Sequence, residues 1–460
     1  MSLTQTLADF VASTSFEDLP EDAVTMARRS LLDWVGSAIR GGTVEPARMA
    51  LNVARRGMDG NVATVLTSGE RLSTLGAAFA NGAASHVIEL DDLHQGSTFH
   101  PAAPIIPAAL AVAEREGASG RDLLRAITLG YDVAIRIAEA VNPSHYRYWH
   151  PTGTCGVFGA ATATGVLIGL DSEQLVQALG SAGTQAAGLW QFLADGAMSK
   201  ALHTAHAAHA GIVSADLAAE GFTAAREILE GPRGFFAATA ASSDPSRITD
   251  RLGTHFKIVE NGFKRHACCG HTHTAIDAAL NIREGADLEQ VERIEIDTYR
   301  VALDITDRAE PHTPYEAKFS IQYAVAAGLL DGRAGLEEFT DEHIGDRAMQ
   351  QLLSRTSARE DGSFTSGYPG AWASRVRLTS ANGSVREATV YHPKGMPANP
   401  MNDAEIEQKF HELVDPVIGG STADEIVASV DRLQRGASAS DLIAAVGTRA
   451  EAAVAPGSAE

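Results

Sequence analysis

Apolar residues recur at intervals of three and four over most of the first half of the chain, a spacing that buries one face of a helix. The run of residues 19–42 is one example. The helix predicted within this run starts after Pro20, carries Glu21 and Asp22 in its first turn and stops at glycine. The same pattern predicts further helices over residues 75–90, 104–116, 121–141, 173–187 and 202–219.

The apolar segment 152–170, TGTCGVFGAATATGVLIGL, is the one stretch with the character of a membrane span. It is short for a span, and it is rich in glycine, alanine and threonine. Small residues let helix backbones approach closely. The segment therefore predicts a buried helix in a protein core.

After about residue 285 the pattern changes to the period of two that is typical of strands. Residues 291–303 alternate in this way, and two further alternating runs flank Asn382-Gly383, a strong hairpin signal. Residues 314–332 and 341–356 between them have a helical pattern, and the pattern from residue 403 onward is helical again. The last predicted helices cover residues 404–418, 422–434 and 439–454.

These patterns predict a mainly α protein with a large all-helical domain and an inserted, smaller α+β lid domain. We expect the helical domain to be discontinuous, with residues 1–265 and 396–460, and the lid domain to cover residues 266–395. A chain of 460 residues is long enough for more than one core.

Composition narrows the possible partners. The chain is 45% hydrophobic and 21% charged, and its formal net charge is −21, which argues against nucleic acid or an anionic membrane surface as a partner. The first residues have neither a basic nor an apolar leader region, so we expect a cytoplasmic protein. The three cysteines do not form a disulfide framework.

Basic, acidic and tyrosine side chains gather close to the predicted helix starts, where exposed N–H groups and the helix dipole favour a bound anion. Two lysines together with several imidazoles suit a substrate that carries two or more carboxylates. The residues concerned are Asp91, Asp92, His94, His100, Tyr146, Tyr148, His150, Lys200, His203, His206, His209, Lys264, Arg265, His266, Cys269, His271, His273, Lys318 and Tyr323.

Several of these groups have other interpretations. His203, His206 and His209 share one helical face and form a possible row of metal ligands, although no acidic residue lies near them in sequence. The cysteines and histidines of residues 268–273 suggest zinc, but adjacent ligands fit tetrahedral spacing badly. No glycine-rich loop has the strand and helix context of a nucleotide site.

Five segments, taken in order and spacing, resemble the signature blocks of the MmgE/PrpD family. That family includes 2-methylcitrate dehydratase, cis-aconitate decarboxylase and iminodisuccinate epimerase. The resemblance implies an all-α domain with an α+β lid, usually in a homodimer, and catalysis without a metal or an organic cofactor. The segments are residues 89–114, 150–165, 200–222, 263–280 and 318–332.

The resemblance also implies positions for the site. The decarboxylase branch has a histidine five residues after its second lysine, where this chain has Cys269, and this difference argues against a decarboxylase. The family's acidic pair, two histidines, two lysines and tyrosine fall on Asp91 and Asp92, His100 and His150, Lys200 and Lys264, and Tyr323.

The chemistry that these members share builds negative charge next to a carboxylate. Our hypothesis is that the two lysines hold the carboxylate, with Arg265 and Cys269 as further substrate contacts. His100 is the candidate base, oriented by Asp91 or Asp92. His150 and Tyr148 are the candidate partners on the opposite side of the substrate. Tyr323 is the candidate catalytic tyrosine of the lid.

We therefore expect an enzyme that abstracts an α-proton from a di- or tricarboxylate. The favoured reaction is epimerisation of an iminodisuccinate-like dicarboxylate, and the alternative is a hydro-lyase that resembles 2-methylcitrate dehydratase. A cis-aconitate decarboxylase and a helical binding protein that has lost the chemistry rank lower.

Overall fold

The computed structural model describes residues 2–447 and confirms that the protein is mainly helical. Contacts divide these residues into two units. The first comprises residues 2–87, 91–261 and 402–447, and the second comprises residues 88–90 and 262–401. The expected domain boundaries, after residues 265 and 395, stay predictions, because a grouping of contacts does not show which segments fold independently.

The first unit is built almost entirely from helices whose ends follow local sequence signals. The predicted helix after Pro20 is confirmed as Glu21–Gly41, and Ser119 with Asp122 forms a capping box at the start of Gly120–Val141. The main helices are Leu3–Ser13, Glu21–Gly41, Glu45–Gly57, Thr74–His86, Ala102–Glu116, Gly120–Val141, Gly156–Leu167, Ser172–Gly183, Ser199–Ala219, Asp403–Ile418, Gly420–Leu433 and Ala439–Gly447. Short helices cover Pro151–Thr154, Phe192–Asp195, Phe235–Thr239 and Ser246–Thr249.

The glycine-rich helix Gly156–Leu167 lies in the core of this unit, as its composition predicts. A Cβ atom on Gly159 would lie 2.8 Å from the carbonyl oxygen of Gly130, and one on Gly211 would lie 2.4 Å from the Cβ of Ala160. Three helices therefore approach so closely that larger residues do not fit at these crossings. No helix in the part of the chain that the structure describes is long and apolar enough to cross a membrane.

A four-stranded sheet forms the β part of the second unit. The hairpin at Asn382-Gly383 is confirmed, and Gly383 has the positive φ of +80° that its turn requires. Two expectations were wrong. The strand expected over residues 291–303 ends at Thr298. A strand that pairs parallel to it was missed, because its residues are mostly exposed or half-buried. In spatial order the strands are Thr356–Glu360, Val291–Thr298, Ser374–Ser380 and Val385–Val390.

Short helices complete the second unit. The helix predicted over residues 314–332 is two helices, because Ser320 caps a new start by accepting a hydrogen bond from the backbone N–H of Tyr323. The helix predicted over residues 341–356 is likewise divided at Asp346, which caps its second half. The helices are His273–Arg283, Arg300–Thr306, Pro314–Ala317, Ile321–Asp331, Asp341–Gly345, Arg347–Leu353 and Gly362–Gly367.

One helix is shorter than its pattern predicts, and this difference matters for the site. The helix expected over residues 75–90 ends at His86, and Glu89 has a φ of +62°, which only a few per cent of non-glycine residues adopt. The chain therefore leaves the helix just before the acidic pair at Asp91. The continuation predicted for the last helix, over residues 448–454, lies outside the described residues.

Candidate active site

His100 is held by the two aspartates of the predicted acidic pair. Its Nδ1 lies 2.6 Å from the backbone carbonyl oxygen of Asp92 and 3.3 Å from Oδ2 of Asp91. A carbonyl oxygen can only accept a hydrogen bond, so Nδ1 of His100 carries the proton. In a neutral ring with its proton on Nδ1, the lone pair is on Nε2, and this is the tautomer that a general base needs.

A second imidazole shares Asp91. His86, the last residue of its helix, is fully buried, and its Nδ1 lies 2.7 Å from Oδ2 of Asp91. Burial lowers the pKa of His86 to about 4; the charges of Lys200 and His100 act in the same direction, and Asp91 opposes them. His86 is therefore neutral near pH 7, and one carboxylate oxygen orients two imidazole rings.

The backbone carbonyl of Asp92 accepts a hydrogen bond from His100, while its carboxyl group accepts hydrogen bonds from other residues. The side chain accepts hydrogen bonds from the hydroxyl of Tyr131 at 2.8 Å, from the amide of Asn261 at 2.8 Å and from the backbone N–H of Ala102. Burial, followed by the charge of Asp91, raises the pKa of this carboxyl well above its ordinary value. Asp92 thus anchors the start of the helix Ala102–Glu116, and Asp91 is the acidic residue that faces the imidazoles.

His150 joins the same group of rings from a different helix start. Its ring stacks on that of His86 with centroids 5.4 Å apart, and it lies 4.6 Å from the centroid of Trp190. Its Nδ1 is 3.0 Å from Nδ1 of His203. We call His86, Asp91, His100, His150 and His203 the imidazole cluster.

Lys200 supplies the positive charge next to the imidazole cluster. It is the second residue of the helix Ser199–Ala219 and is 6% exposed. Its charge is among the causes that lower the pKa of His86, His150 and His203. A single buried ammonium group therefore acts on three of the rings, which is where an anionic substrate group would be stabilised.

Tyr148 does not join the cluster. Its side chain is 58% exposed, and the guanidinium of Arg147 lies 5.1 Å from its ring centroid. Of the two residues predicted from this segment, only His150 therefore lies in the imidazole cluster.

The second lysine of the predicted site belongs to the second unit. Lys264 is fully buried, and its Nζ lies 2.9 Å from Oε2 of Glu89, which is 1% exposed. Sequence reasoning considered Lys264 alone and missed Glu89, whose positive φ places a carboxylate where no pattern indicated one. Backbone strain of this kind persists only where the surroundings compensate for it, and it is often found at functional sites.

Three further side chains of this unit lie around the same ion pair. Lys318 donates a hydrogen bond from Nζ to the carbonyl oxygen of Ile88 at 2.7 Å, and its own carbonyl accepts from the N–H of Cys269. Burial, and then the charges of Glu89 and Cys269, raises the pKa of the Tyr315 phenol. The Tyr315 hydroxyl is buried and has no hydrogen-bond partner within residues 2–447.

The remaining predicted residues lie outside this group. The Tyr323 hydroxyl donates to the backbone carbonyl of Glu338 at 2.5 Å, and its ring packs against Phe339. Arg265 is exposed. In the second unit, Tyr315 is therefore a better candidate for a catalytic phenol than Tyr323.

The structure shows what surrounds the residues of the alternative metal sites considered from sequence. The Cys268 thiol contacts Thr272 and burial raises its pKa to about 12, while His271 contacts the Tyr299 hydroxyl at 2.6 Å. Among the described residues, two groups have ligand atoms close enough to hold a metal ion, and neither includes the cysteines or the row of histidines after Lys200. These groups are His86, Asp91 and His100, and His94, Glu139 and Glu260.

The buried histidines predict that the protein loses stability in mild acid. Burial lowers the pKa of His86, His145 and His203 to about 4 each, while an unfolded histidine titrates near 6.5. Between these values the unfolded chain binds more protons, so the free energy of unfolding falls as the pH falls from about 6.5 to 4, by up to about 1.4 kcal/mol per pH unit for each group.

Urea unfolding at several pH values between 6.5 and 5 measures this slope. We expect His86→Gln to have a shallower slope than the wild type, and His312→Gln, at an exposed position, to keep the wild-type slope. Equal slopes in all three proteins would show that His86 takes up its proton as readily in the folded state as in the unfolded state.

Comparisons with known proteins identify relatives of this chain. The Cis-aconitate decarboxylase-like protein oryM of Aspergillus oryzae is 26% identical to this chain over 97% of both chains. The cis-aconitate decarboxylase of Homo sapiens is 26% identical over 94% of this chain and 92% of its own. The 2-methylcitrate dehydratase of Escherichia coli is 29% identical over 27% of this chain and 28% of its own.

Two family models also match, and together they extend over most of the sequence. The MmgE/PrpD N-terminal domain matches residues 5–248, and the MmgE/PrpD C-terminal domain matches residues 266–435. The first match contains the whole imidazole cluster, and the second contains Lys318 and Cys269. With both of its domains matched, the chain belongs to the MmgE/PrpD family.

Proposed function

We propose that this protein is an enzyme that moves a proton to or from the carbon next to a carboxylate of a di- or tricarboxylate. The observation that carries the proposal is the pair of contacts at Nδ1 of His100, which implies the tautomer of the ring. Its Nδ1–H is occupied by the carbonyl of Asp92 and the carboxylate of Asp91, so the basic nitrogen is Nε2. A ring fixed in this way is ready to take a proton without reorganising.

The charge that develops during such a step needs a partner. Removing an α-proton, or losing carbon dioxide, leaves an enolate-like charge on the substrate, and stabilising that charge is usually the largest catalytic contribution. Lys200 is the buried cation next to the imidazole cluster, and we assign it this role. His150, whose Nε2 is buried, is the proposed proton donor.

The reaction class is the finer part of the proposal. The sequence favoured an epimerase, but the relatives compared above are a decarboxylase, a decarboxylase-like protein and a dehydratase. We therefore propose a lyase acting on a tricarboxylate. Epimerisation remains the second candidate, because His100 and His150 are two separate imidazoles, as inversion requires.

A product assay tests this proposal. The purified enzyme is incubated with cis-aconitate, 2-methylcitrate or iminodisuccinate, and the mixtures are analysed by mass spectrometry, ultraviolet absorbance and chiral chromatography. Loss of carbon dioxide, or loss of water with a new conjugated alkene, supports a lyase. Inversion without a change of mass supports the epimerase, and wild-type enzyme that leaves every polycarboxylate unchanged contradicts the proposal.

We expect this chemistry to proceed without a bound metal. His86, Asp91 and His100 have ligand atoms within 4.8 Å of one another, but the carboxylate–imidazole distances of 2.7 and 3.3 Å are those of groups that share protons. Elemental analysis should therefore find substoichiometric metal, and a chelator should leave activity intact. About one zinc per chain that is lost in His86→Gln would overturn this expectation.

A further inference from the structure

A contact between two imidazole nitrogens lies at one side of the imidazole cluster. Nδ1 of His150 and Nδ1 of His203 are 3.0 Å apart. Sequence reasoning considered His203 as one of several imidazoles near an anion site and as one of three possible metal ligands. The structure instead turns it toward His150, while His206, one turn further, binds the carbonyl of Gln185 at 3.0 Å.

Two glycines make this contact possible. A Cβ on Gly153 would lie 2.4 Å from the carbonyl oxygen of Ala187 and 3.1 Å from the Cβ of His203, so a larger residue would separate the two segments. Gly188, with a φ of +140°, accepts a hydrogen bond from the backbone N–H of His150 at 3.0 Å. The start of one helix is thereby held against the side of another.

The distance restricts the protons on both rings. Two ring nitrogens can form a hydrogen bond only if one of them carries a proton and the other does not. Burial is the largest cause that lowers the pKa of each ring, so both are neutral near pH 7 and each has one N–H. When His203 donates, His150 carries its own proton on Nε2, and when His150 donates, its Nε2 is bare.

The outer nitrogen of His150 needs a partner. Nε2 is buried and has no hydrogen-bond partner among the residues that the structure describes. A buried polar atom without a partner costs about 1–3 kcal/mol, a cost that a bound substrate would remove. His150 has no exposed surface, whereas His203 is 9% exposed to solvent.

We propose that His203 is a positioning residue that sets the tautomer of His150 and passes protons between it and solvent. This inference rests on the proposed function. His150 gives its Nε2 proton to the substrate, the Nδ1 proton of His203 moves to Nδ1 of His150, and Nε2 of His203 takes a proton from water. Each ring ends neutral, with its proton on the opposite nitrogen, and one proton has passed from water to substrate.

The surrounding charges keep this pair neutral. His150 faces His86 and His100 as well as His203, and Lys200 acts on both members of the pair. All of these groups disfavour an imidazolium, and His206 does the same for His203. A relay of neutral rings avoids creating a buried positive charge during turnover.

Nitrogen NMR of histidine-labelled enzyme tests the relay without substrate. We expect one ring that is protonated on Nδ1 and hydrogen-bonded to a second ring, and we expect this signal to vanish in His203→Phe while the remaining histidine signals persist. If both rings carry their protons on Nε2, the inference is overturned whatever the enzyme's substrate proves to be.

Steady-state kinetics provide a second test of the relay. With a substrate on which the wild type is active, His203→Phe should lower kcat by about 10- to 100-fold, less than the loss of an acid–base group itself, with KM nearly unchanged. Added imidazole should restore part of the rate in His203→Ala. His209→Gln, on the same helix, is the control and should keep wild-type kcat.

The two proposals fail in different ways. An active wild type whose His203→Phe variant keeps full kcat contradicts the relay and leaves the proposed function intact. A wild type that is inactive on every polycarboxylate, but shows the shared Nδ1 proton, contradicts the proposed function alone.

Discussion

Replacing His100 with asparagine is expected to lower kcat by about 10²- to 10⁴-fold while leaving substrate binding largely in place. Asparagine can present an amide N–H where Nδ1 of the ring stood, so the bond to the Asp92 carbonyl can persist. Nothing replaces Nε2, the proposed base. The loss should therefore appear in kcat and only weakly in KM.

Steady-state kinetics and a binding measurement together check this result. His209→Gln is the matched control, because it changes a partly buried histidine outside the imidazole cluster. Circular dichroism and a melting curve should show a folded His100→Asn variant. If this variant keeps more than about a tenth of the wild-type kcat, His100 is not the base, and His150 is the next residue to test.

Replacing Lys264 with methionine is expected to destabilise the protein by about 3–5 kcal/mol, because it removes one member of a buried ion pair, the ammonium group 2.9 Å from the carboxylate of Glu89. The double variant Lys264→Met, Glu89→Gln should recover most of this stability, since both charges of the ion pair are then removed together. Urea unfolding of the two single variants and the double variant measures the coupling.

Activity of the double variant then separates two roles of Lys264. If the lysine also binds a substrate carboxylate, as the sequence predicts, the double variant is stable but has a raised KM and a lowered kcat. Wild-type kinetics in a stable double variant would show that the lysine acts only on the protein's own stability. A single variant as stable as the wild type would contradict the ion pair itself.

Local patterns predicted most of the helices and the hairpin because their signals are short in range. Capping residues and apolar spacing act within one or two turns, and the turn at Gly383 depends on its own φ. The errors lie where a distant contact decides. The apolar spacing typical of a helix continues beyond His86, where the helix ends. Glu89 lies outside the helix, and its carboxylate accepts a hydrogen bond from Lys264, 175 positions away.

In the candidate site, too, contacts between residues near in sequence were predictable and contacts between distant residues were not. His100 and Asp91 are near in sequence, so their contact was within reach of motif reasoning. His150 and His203 are 53 positions apart, and nothing in the row of histidines distinguishes the one that turns toward His150. Tyr323 is the phenol that the family resemblance predicts, because it occupies the position of the family's tyrosine in the sequence. In the structure its hydroxyl donates a hydrogen bond to a backbone carbonyl.

The central claim is that His100 exchanges a proton with the carbon next to a substrate carboxylate. Incubation in heavy water, followed by mass spectrometry and NMR of both product and recovered substrate, tests it most directly. The account predicts deuterium at that carbon with the wild type and almost none with His100→Asn at equal occupancy of the site. An active wild type that introduces no deuterium there, or undiminished incorporation by His100→Asn, would contradict it.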